Sequence, residues 1–152
     1  MNVYKLLNLN NKIKNHRVKF FGLFLFHILG KRYLAVNLDP VMACNLRCKM
    51  CYFTDKEYVK KLKGVFTNLQ LSRIAEVFFS RALKLQIGCG TEPTLYKDLP
   101  SIVRLGKKYK VPYISLTTNA NLLNDKKIED LLIAGLDEFT ISLHGVLSLI
   151  HI

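Results

Sequence analysis

Four short apolar segments alternate with segments of helical periodicity along the 152-residue chain. The apolar segments span residues 33–38, 83–87, 113–117 and 139–143, and their lengths suit strands. Strands that alternate with helices of about ten to fifteen residues form a parallel sheet with right-handed crossovers. We therefore predict an α/β fold in which all four strands end at one edge of the sheet, where functional residues gather.

The helical segments carry start and stop signals. Thr67 and Gln70 form the capping-box pattern that begins a helix, Pro100 lies near the first turn of the next, and Gly135 closes the last. The charged run 55–63 is predicted as a solvated surface. The apolar residues predicted to line the inner faces of the helices are Leu71, Ile74, Ala75, Phe78, Ile102, Leu105, Tyr109, Ile128, Leu131 and Leu132.

Three cysteines, Cys44, Cys48 and Cys51, follow the first predicted strand with the spacing C-x3-C-x2-C. We expect thiolates this close in the chain to converge on one soft metal centre. A structural zinc or iron–sulfur site takes four protein ligands, whereas three leave one coordination position open for a substrate or cofactor. The triplet alone leaves two other interpretations open: a zinc site completed by a histidine, and three unligated loop cysteines.

The cysteine loop, with Met50 before its last cysteine and Tyr52 after it, resembles the signature of the radical S-adenosylmethionine (radical SAM) superfamily. The resemblance covers about residues 33–145. It implies that the three cysteines hold three irons of a 4Fe-4S cluster. The amino and carboxylate groups of S-adenosylmethionine would then chelate the fourth iron, and Met50 and Tyr52 would belong to the cofactor site, with Met50 on the adenine.

The other strand ends carry further matches. Residues 88–93, GCGTEP, resemble the glycine-glycine-glutamate motif of the family, although Cys89 replaces a glycine and a threonine precedes the glutamate. The resemblance implies that Gly88 and Gly90 let the backbone approach the ligand and that Glu92 receives the ammonium group of S-adenosylmethionine. It also implies that Asn119 and Ser142, after the third and fourth strands, contact the same cofactor.

Each of these residues also has a simpler interpretation. Glu92 is an exposed loop carboxylate in the simpler case, Asn119 forms an Asx turn, His144 is an ordinary loop histidine and Met50 fills a gap below the loop. For Cys89 we prefer the simpler case, a buried cysteine that acts as a small hydrophobic residue.

The resemblance implies a radical SAM enzyme. In that family one electron enters the cluster and cleaves S-adenosylmethionine to methionine and a deoxyadenosyl radical, which takes a hydrogen atom from the substrate. The substrate would be a peptide or small molecule, as in peptide and protein maturases with SPASM-type domains, and flavodoxin or ferredoxin would supply the electron. The alternative is a non-catalytic zinc or iron–sulfur binding module, or an inactive fragment.

Seven basic residues and no acidic residue precede Asp39, within a net charge of +12. No groove-like pattern of interleaved aromatics accompanies them, so we expect weak membrane-surface contact and no specific nucleic acid. Residues 18–29 are too short to span a bilayer, and we predict an amphipathic helix that covers the barrel in preference to one that touches a membrane. Four cysteines without a secretory signal favour a cytoplasmic location.

We predict three regions. Residues 1–32 form a basic extension with the helix, residues 33–146 form a partial (βα)6 radical SAM barrel with about four of its six units, and residues 147–152 form a non-native tail. The prediction of a tail rests on back-translation, because its six residues resemble the adapter sequence of transposase-based sequencing libraries. The natural protein is then expected to continue beyond Gly145, and the chain as written is expected to expose an unpaired strand edge and to aggregate.

Overall fold

The computed structural model describes residues 8 and 11–143. Residues His144, Gly145 and 147–152, about which the sequence makes predictions, lie outside this part. The helices and strands are, in order, α1 His16–Ile28, β1 Leu34–Leu38, α2 Lys56–Lys61, α3 Asn68–Phe78, β2 Ala82–Ile87, α4 Leu99–Lys108, β3 Ile114–Thr118, α5 Asp125–Ala134 and β4 Glu138–Ile141.

The four strands form one parallel sheet in the order β1-β2-β3-β4. Leu38 pairs with Ile87, Ile87 with Leu116, and Thr118 with Ile141, so the carboxyl ends of all four strands lie along the same edge. The predicted α/β fold with a parallel sheet is therefore confirmed. Within the described residues, β1 and β4 are the two edge strands of this sheet.

One face of the sheet packs against the helices and forms the core. Strand residues Leu85, Ile87, Ile114 and Leu116 are fully buried there. Alternate residues of a strand point to opposite faces, which accounts for the apolar spacing of these side chains. The residues of α3, α4 and α5 that belong to this core or pack against it include Leu71, Ile74, Ala75, Leu99, Ile102, Val103, Leu105, Leu131 and Ala134, and Tyr109 packs against it directly after α4.

Two of the predicted inner-face residues, Phe78 and Leu132, are instead 47% and 55% exposed. At Phe78 the α-helix ends and a 3-10 turn begins, and the turn directs the next residue, Phe79, into the core. Leu132 follows the buried Leu131 by 100° on α5, which carries it off the sheet-facing side. The remaining predicted face residue, Ile128, is half-buried.

The opposite face of the sheet is polar. The Gln86 amide nitrogen donates to the Thr117 hydroxyl at 2.7 Å, and the Ser115 hydroxyl donates to the Gln86 amide oxygen at 2.6 Å. Glu138 accepts hydrogen bonds from the hydroxyl groups of Tyr113 and Thr140. The polar side chains on this face thus satisfy one another across β2, β3 and β4.

The capping box predicted at the start of α3 is present. The Gln70 backbone nitrogen donates to the Thr67 hydroxyl, and the Thr67 backbone nitrogen donates to the Gln70 side chain. Thr67→Ala removes one side of this box, so we expect a loss of about 1 kcal/mol in the free energy of unfolding, measured by urea denaturation. Ser72→Ala, on the exposed surface of the same helix, is the control and is expected to change stability by less than about 0.5 kcal/mol. Equal losses in the two variants would contradict the prediction.

Helix α1 does not cover the sheet, so that prediction is wrong for the described part of the chain. None of its residues is buried, and Asn15 caps its first turn. The reason lies in the connection, because Arg32 donates to the main-chain oxygens of Phe79, Ala82 and Tyr109 and so anchors the segment after α1 at the amino-terminal edge of the sheet. None of the helices in the described residues has the length and apolar character needed to cross a membrane.

Candidate functional site

A cavity of about 370 Å³ lies at the carboxyl ends of the strands, and we call it the strand-end cavity. All the site residues predicted from the sequence line it. The lining residues are Cys44, Leu46, Cys48, Met50, Cys51, Tyr52, Phe53, Gly88, Cys89, Gly90, Thr91, Glu92, Thr117, Thr118, Asn119 and Ser142. Four loops that are distant in sequence thus meet at one place, as a parallel sheet requires of residues that follow its strands.

Local hydrogen bonds fold the cysteine loop. The Cys51 backbone nitrogen donates to the Cys48 carbonyl oxygen at 2.8 Å, and the Thr54 hydroxyl donates to the same oxygen at 2.6 Å. Phe53, which is 1% exposed, anchors the end of the loop in the protein. The three cysteines are half-buried and line the cavity, and none of them forms a disulfide.

The cysteine thiols do not converge on a single point. Within the described residues, no three His, Cys, Asp or Glu side chains are placed to hold one metal ion. A four-iron cluster does not require the three sulfur atoms to meet at one point, because each thiolate binds a different iron. Thiolates are also the ligands that such clusters take. The three-thiol donor set around one cavity therefore fits a cluster.

Burial raises the pKa of the Cys44 thiol, and the charges of Glu92, Cys51 and Cys48 raise it further. The Leu46 backbone nitrogen, which donates to the Cys44 sulfur at 3.4 Å, acts in the opposite direction. A thiol of this kind is more easily deprotonated when a cation binds it, because the positive charge offsets both the burial and the neighbouring negative charges.

Asp39, which follows β1, holds the loop after β2 in place. Its carboxylate accepts hydrogen bonds from the backbone nitrogens of Cys89 at 2.8 Å and Gly90 at 3.1 Å, and from the Thr91 hydroxyl at 2.9 Å. The chain then runs from Asp39 into the cysteine loop. One carboxylate therefore connects two loops that both line the cavity.

The two glycines of this loop have different roles. Gly88 has φ of +78°, and a Cβ there would clash with the Thr117 carbonyl oxygen and lie 2.6 Å from Pro93 Cγ. Only glycine fits this turn. At Gly90 a Cβ would lie 2.8 Å from the Tyr52 hydroxyl, and that hydroxyl donates to the Gly90 carbonyl oxygen.

Glu92 is 2% exposed, which excludes its interpretation as an exposed loop carboxylate. Its Oε1 atom accepts from the Thr94 backbone nitrogen at 3.1 Å, the Thr94 hydroxyl at 2.5 Å and the Thr118 hydroxyl at 2.6 Å. Its Oε2 atom accepts from the Asn119 backbone nitrogen at 2.8 Å. A buried carboxylate held this firmly joins the ends of β2 and β3 and keeps acceptor capacity on Oε2 for a ligand cation.

Asn119 and Ser142 complete the cavity wall. The Asn119 side-chain oxygen accepts from the Asn121 backbone nitrogen at 3.0 Å, so the predicted Asx turn is present. Its amide nitrogen donates to the Asn45 side chain at 2.8 Å and lies 3.9 Å from the Cys44 sulfur, which connects it to the cysteine loop. Ser142 is positioned by its backbone nitrogen, which donates to the Thr118 carbonyl oxygen.

Met50 and Tyr52 flank the last cysteine. The Met50 side chain is 73% exposed, so it fills no gap below the loop and is open to a ligand. Tyr52 packs against Phe53 and Tyr58, with ring centroids 4.8 and 5.5 Å apart. Burial raises the pKa of the Tyr52 hydroxyl and the charge of Asp39 adds to the rise, so this group stays protonated as a donor.

Cys89 is exposed, so the prediction that it is a buried small hydrophobic residue is wrong. The turn at Gly88 takes the chain out of the sheet, and Asp39 then holds the Cys89 backbone nitrogen at the cavity. Burial of part of the side chain raises the pKa of the Cys89 thiol, and the charge of Asp39 raises it further. Cys89 is thus a fourth thiol on the strand-end cavity.

Asp39 and Thr118 are among the residues of the site that the sequence did not indicate. Asp39 follows an apolar strand directly and precedes Pro40, a position shared by many ordinary turn residues. Asp39 could have been identified by its position at the end of a strand in a parallel sheet, because the same kind of position identified Cys44, Glu92 and Asn119. Thr118 is the last residue of β3 and has the same signal.

The sequence profile of the Radical SAM superfamily matches residues 39–151. The probable GTP 3',8-cyclase of Saccharolobus solfataricus is 38% identical over 117 residues, which are 77% of this chain and 37% of that protein. The corresponding protein of Sulfolobus acidocaldarius is 31% identical over 121 residues, 78% of this chain and 37% of that protein. The chain therefore spans little more than a third of the curated relatives that it matches.

Solved structures agree on the fold. The crystal structure of BtrN in complex with AdoMet and 2-DOIA aligns with a TM-score of 0.61 at 20% identity, over 76% of this chain and 48% of BtrN. An open conformation of BtrN aligns with a TM-score of 0.56 over the same share of this chain and 53% of the BtrN chain. Since the family profile covers most of the sequence, the chain belongs to the radical SAM superfamily.

Proposed function

We propose that the chain is part of the core of a radical SAM enzyme that binds a 4Fe-4S cluster through Cys44, Cys48 and Cys51. We further propose that S-adenosylmethionine binds in the strand-end cavity. The observation that carries the proposal is the cavity itself, because the three cysteines share it with Glu92 and Ser142. Enzymes of this superfamily use a 4Fe-4S cluster and S-adenosylmethionine.

When bound, the cluster supplies the electron for reductive cleavage of the sulfonium. The protein's own residues do the positioning. Glu92 places a negative charge inside the wall, where it attracts an ammonium group, and the Thr118 and Asn119 donors fix its orientation. Met50, Tyr52 and Phe53 supply the apolar part of the wall, which suits the adenine ring. Asp39 keeps the loop of residues 88–91 in the position that closes the cavity.

The substrate and the electron donor belong to the proposal as well. Flavodoxin or ferredoxin is the proposed donor. A peptide substrate, in a protein with a SPASM-type domain, remains a prediction from the sequence, whereas the relatives named as GTP 3',8-cyclases favour a purine nucleoside triphosphate. Of these two we favour the nucleotide, because it rests on identity over three quarters of the chain.

The test is anaerobic reconstitution of the full chain with iron and sulfide, followed by addition of S-adenosylmethionine. We expect four irons per chain and an electron paramagnetic resonance spectrum of the reduced cluster that changes when S-adenosylmethionine is added. Stoichiometric zinc with no spectral response to S-adenosylmethionine would support the alternative, a non-catalytic metal-binding module, and would refute the enzyme.

Glu92→Gln is expected to weaken binding of S-adenosylmethionine by about 1–3 kcal/mol while the cluster remains. The substitution removes the charge that faces the ammonium group. It also turns an amide NH₂ toward either the Asn119 backbone nitrogen or the three donors on Oε1, so at least one donor loses its acceptor. Isothermal titration of the reconstituted protein measures the affinity, and iron analysis measures the cluster.

Thr94→Val is the matched control for Glu92→Gln. It removes the Thr94 hydroxyl, which donates to Glu92 Oε1, at nearly constant volume and leaves the carboxylate charge in place. We expect this variant to lose stability but to retain affinity within about threefold, a change of less than 1 kcal/mol. If Glu92→Gln binds with unchanged affinity, or if Thr94→Val loses as much, Glu92 is a structural residue only.

A further inference from the structure

We propose that α1 binds the surface of an anionic lipid bilayer through its exposed apolar side chains and the basic residues beside it. Eight of the 21 large apolar residues that are exposed in the described part of the chain lie between Val18 and Leu29. Phe20 is 72% exposed, Phe21 61%, Phe24 57% and Ile28 61%. Single apolar side chains exposed to solvent are ordinary on protein surfaces, but a contiguous group of large ones indicates an interaction site.

The arrangement of these side chains around the helix indicates the kind of partner. At 100° per residue, the exposed apolar residues from Leu23 through Phe20, Phe24 and Phe21 to Val18 cover about 220° of the circumference, an arc that also contains Arg17 and His27. The half-buried residues Lys19, Gly22 and Phe26 occupy the remaining sector, which faces the protein. A protein groove takes an apolar stripe of about 100°. An arc twice as wide is suited to an environment that surrounds the helix on every side that the protein does not cover, as acyl chains do.

The charges near α1 select an anionic surface. Lys12, Lys14, Arg17 and Lys31 are exposed, and no acidic residue precedes Asp39. The ion pairs of the described residues lie elsewhere in the chain, between Lys60 and Glu57, Arg104 and Asp98, and Lys107 and Asp137. No acidic side chain in the described residues pairs with the charges beside α1, and each lysine or arginine close to an anionic leaflet adds to binding.

The connection between α1 and the sheet keeps this surface outward. The Arg32 guanidinium donates hydrogen bonds to three main-chain oxygens and so fixes the chain directly after Lys31. His27 of α1 also shares a hydrogen bond of 2.9 Å with the Tyr33 hydroxyl, next to the start of β1. The helix is thus held at its carboxyl end on the amino-terminal edge of the sheet, whereas the strand-end cavity opens at the opposite edge. A membrane at α1 leaves the cavity free.

The proposal is tested by sedimentation of the full chain with two kinds of vesicles, one of phosphatidylcholine alone and one of phosphatidylcholine mixed with phosphatidylglycerol. We expect binding to the mixed vesicles that weakens as salt is added, and at least about tenfold weaker binding to the neutral ones. Equal binding to both would overturn the anionic specificity.

Two pairs of variants separate the apolar and the basic contributions. Phe20→Ser with Phe24→Ser is expected to reduce vesicle binding by at least about tenfold, because two phenyl rings no longer enter the apolar layer. The control pair, Val77→Ser with Ile133→Ser, changes residues that are 63% and 76% exposed on α3 and α5, and is expected to leave binding unchanged. Lys12→Gln with Lys14→Gln is expected to weaken binding about fivefold per lysine, whereas Lys97→Gln with Lys126→Gln, which changes exposed lysines near the carboxyl ends of the strands, should have no effect.

A second copy of the chain is the competing occupant of α1. Sedimentation velocity without vesicles shows whether the Phe20 and Phe24 side chains join two copies. A concentration-dependent dimer that these two serine substitutions abolish, together with no sedimentation on mixed vesicles, would overturn the proposal. A monomer that sediments with the mixed vesicles, and loses this in the serine variant but not in the Val77 and Ile133 control, is the expected result.

Discussion

Replacement of any one of Cys44, Cys48 or Cys51 by alanine is expected to abolish the 4Fe-4S cluster. In the proposed cluster each thiolate would bind its own iron, so the loss of one would leave an iron without its protein ligand in a cavity that is open to solvent. Anaerobic reconstitution with iron and sulfide, followed by metal analysis and visible absorption, measures the result. We expect the four-iron content of the parent chain to fall close to zero in all three variants.

Cys89→Ala is the control, because Cys89 lines the same cavity but lies outside the C-x3-C-x2-C loop. We expect this variant to retain its cluster. Four irons per chain in any of the three loop variants would contradict the assignment of the ligands, and a loss of iron in Cys89→Ala would add a fourth thiol to them. Circular dichroism of the apoproteins confirms that the substitutions leave the fold intact.

The second large effect is expected at Gly88. An alanine there is strained, because φ is +78°, and its Cβ would contact the Thr117 carbonyl oxygen, which cannot move without breaking β3. The strain costs about 1–2 kcal/mol and the steric contact about 1–3 kcal/mol, so the free energy of unfolding should fall by about 2–5 kcal/mol. A domain of this size is stable by only about 5–15 kcal/mol, so the variant should also be less soluble. Urea denaturation of the soluble fraction measures the loss.

Gly30→Ala separates the two causes. Gly30 has φ of +68°, but its nearest neighbouring atom, Arg81 Nη1, lies 3.5 Å from the position that the alanine methyl group would occupy, so strain acts there without a steric contact. We expect a loss of about 1–2 kcal/mol in this variant. Should the two alanine variants lose the same free energy of unfolding, the steric contact with β3 at Gly88 would not contribute to the loss.

The sequence was sufficient for most of the fold because the relevant signals are local. Apolar runs predicted all four strands, and the alternation with helices predicted their parallel order. The capping box at Thr67 and the left-handed Gly135, with φ of +97°, mark helix ends that the structure confirms. The predicted position of α1 was wrong, because an apolar composition indicates that a helix is driven out of water but does not indicate which surface it contacts.

The site was predictable as a set of positions but not as a set of contacts. Strand ends and motif spacing predict that Cys44, Glu92, Asn119 and Ser142 meet at one edge of the sheet, and all four line the strand-end cavity. The hydrogen bonds that hold them depend on residues far away in the chain. Glu92 is buried because Thr118 and Asn119 satisfy it, and no local pattern near Glu92 contains that information.

The hydrogen bonds around the strand-end cavity also bear on the order of folding. Asp39 is 50 positions from Cys89, and Asn45 is 74 positions from Asn119, whereas the Thr67 capping box joins residues only three apart. Long loops must close before distant bonds form, so helices such as α3 arise early and the cavity arises late, once the strands have aligned. During this interval the cysteine thiols lack the enclosure that partly buries them later. We therefore expect newly made chains to be most vulnerable to oxidation before the sheet is complete, which is the stage at which a reducing environment would protect them most.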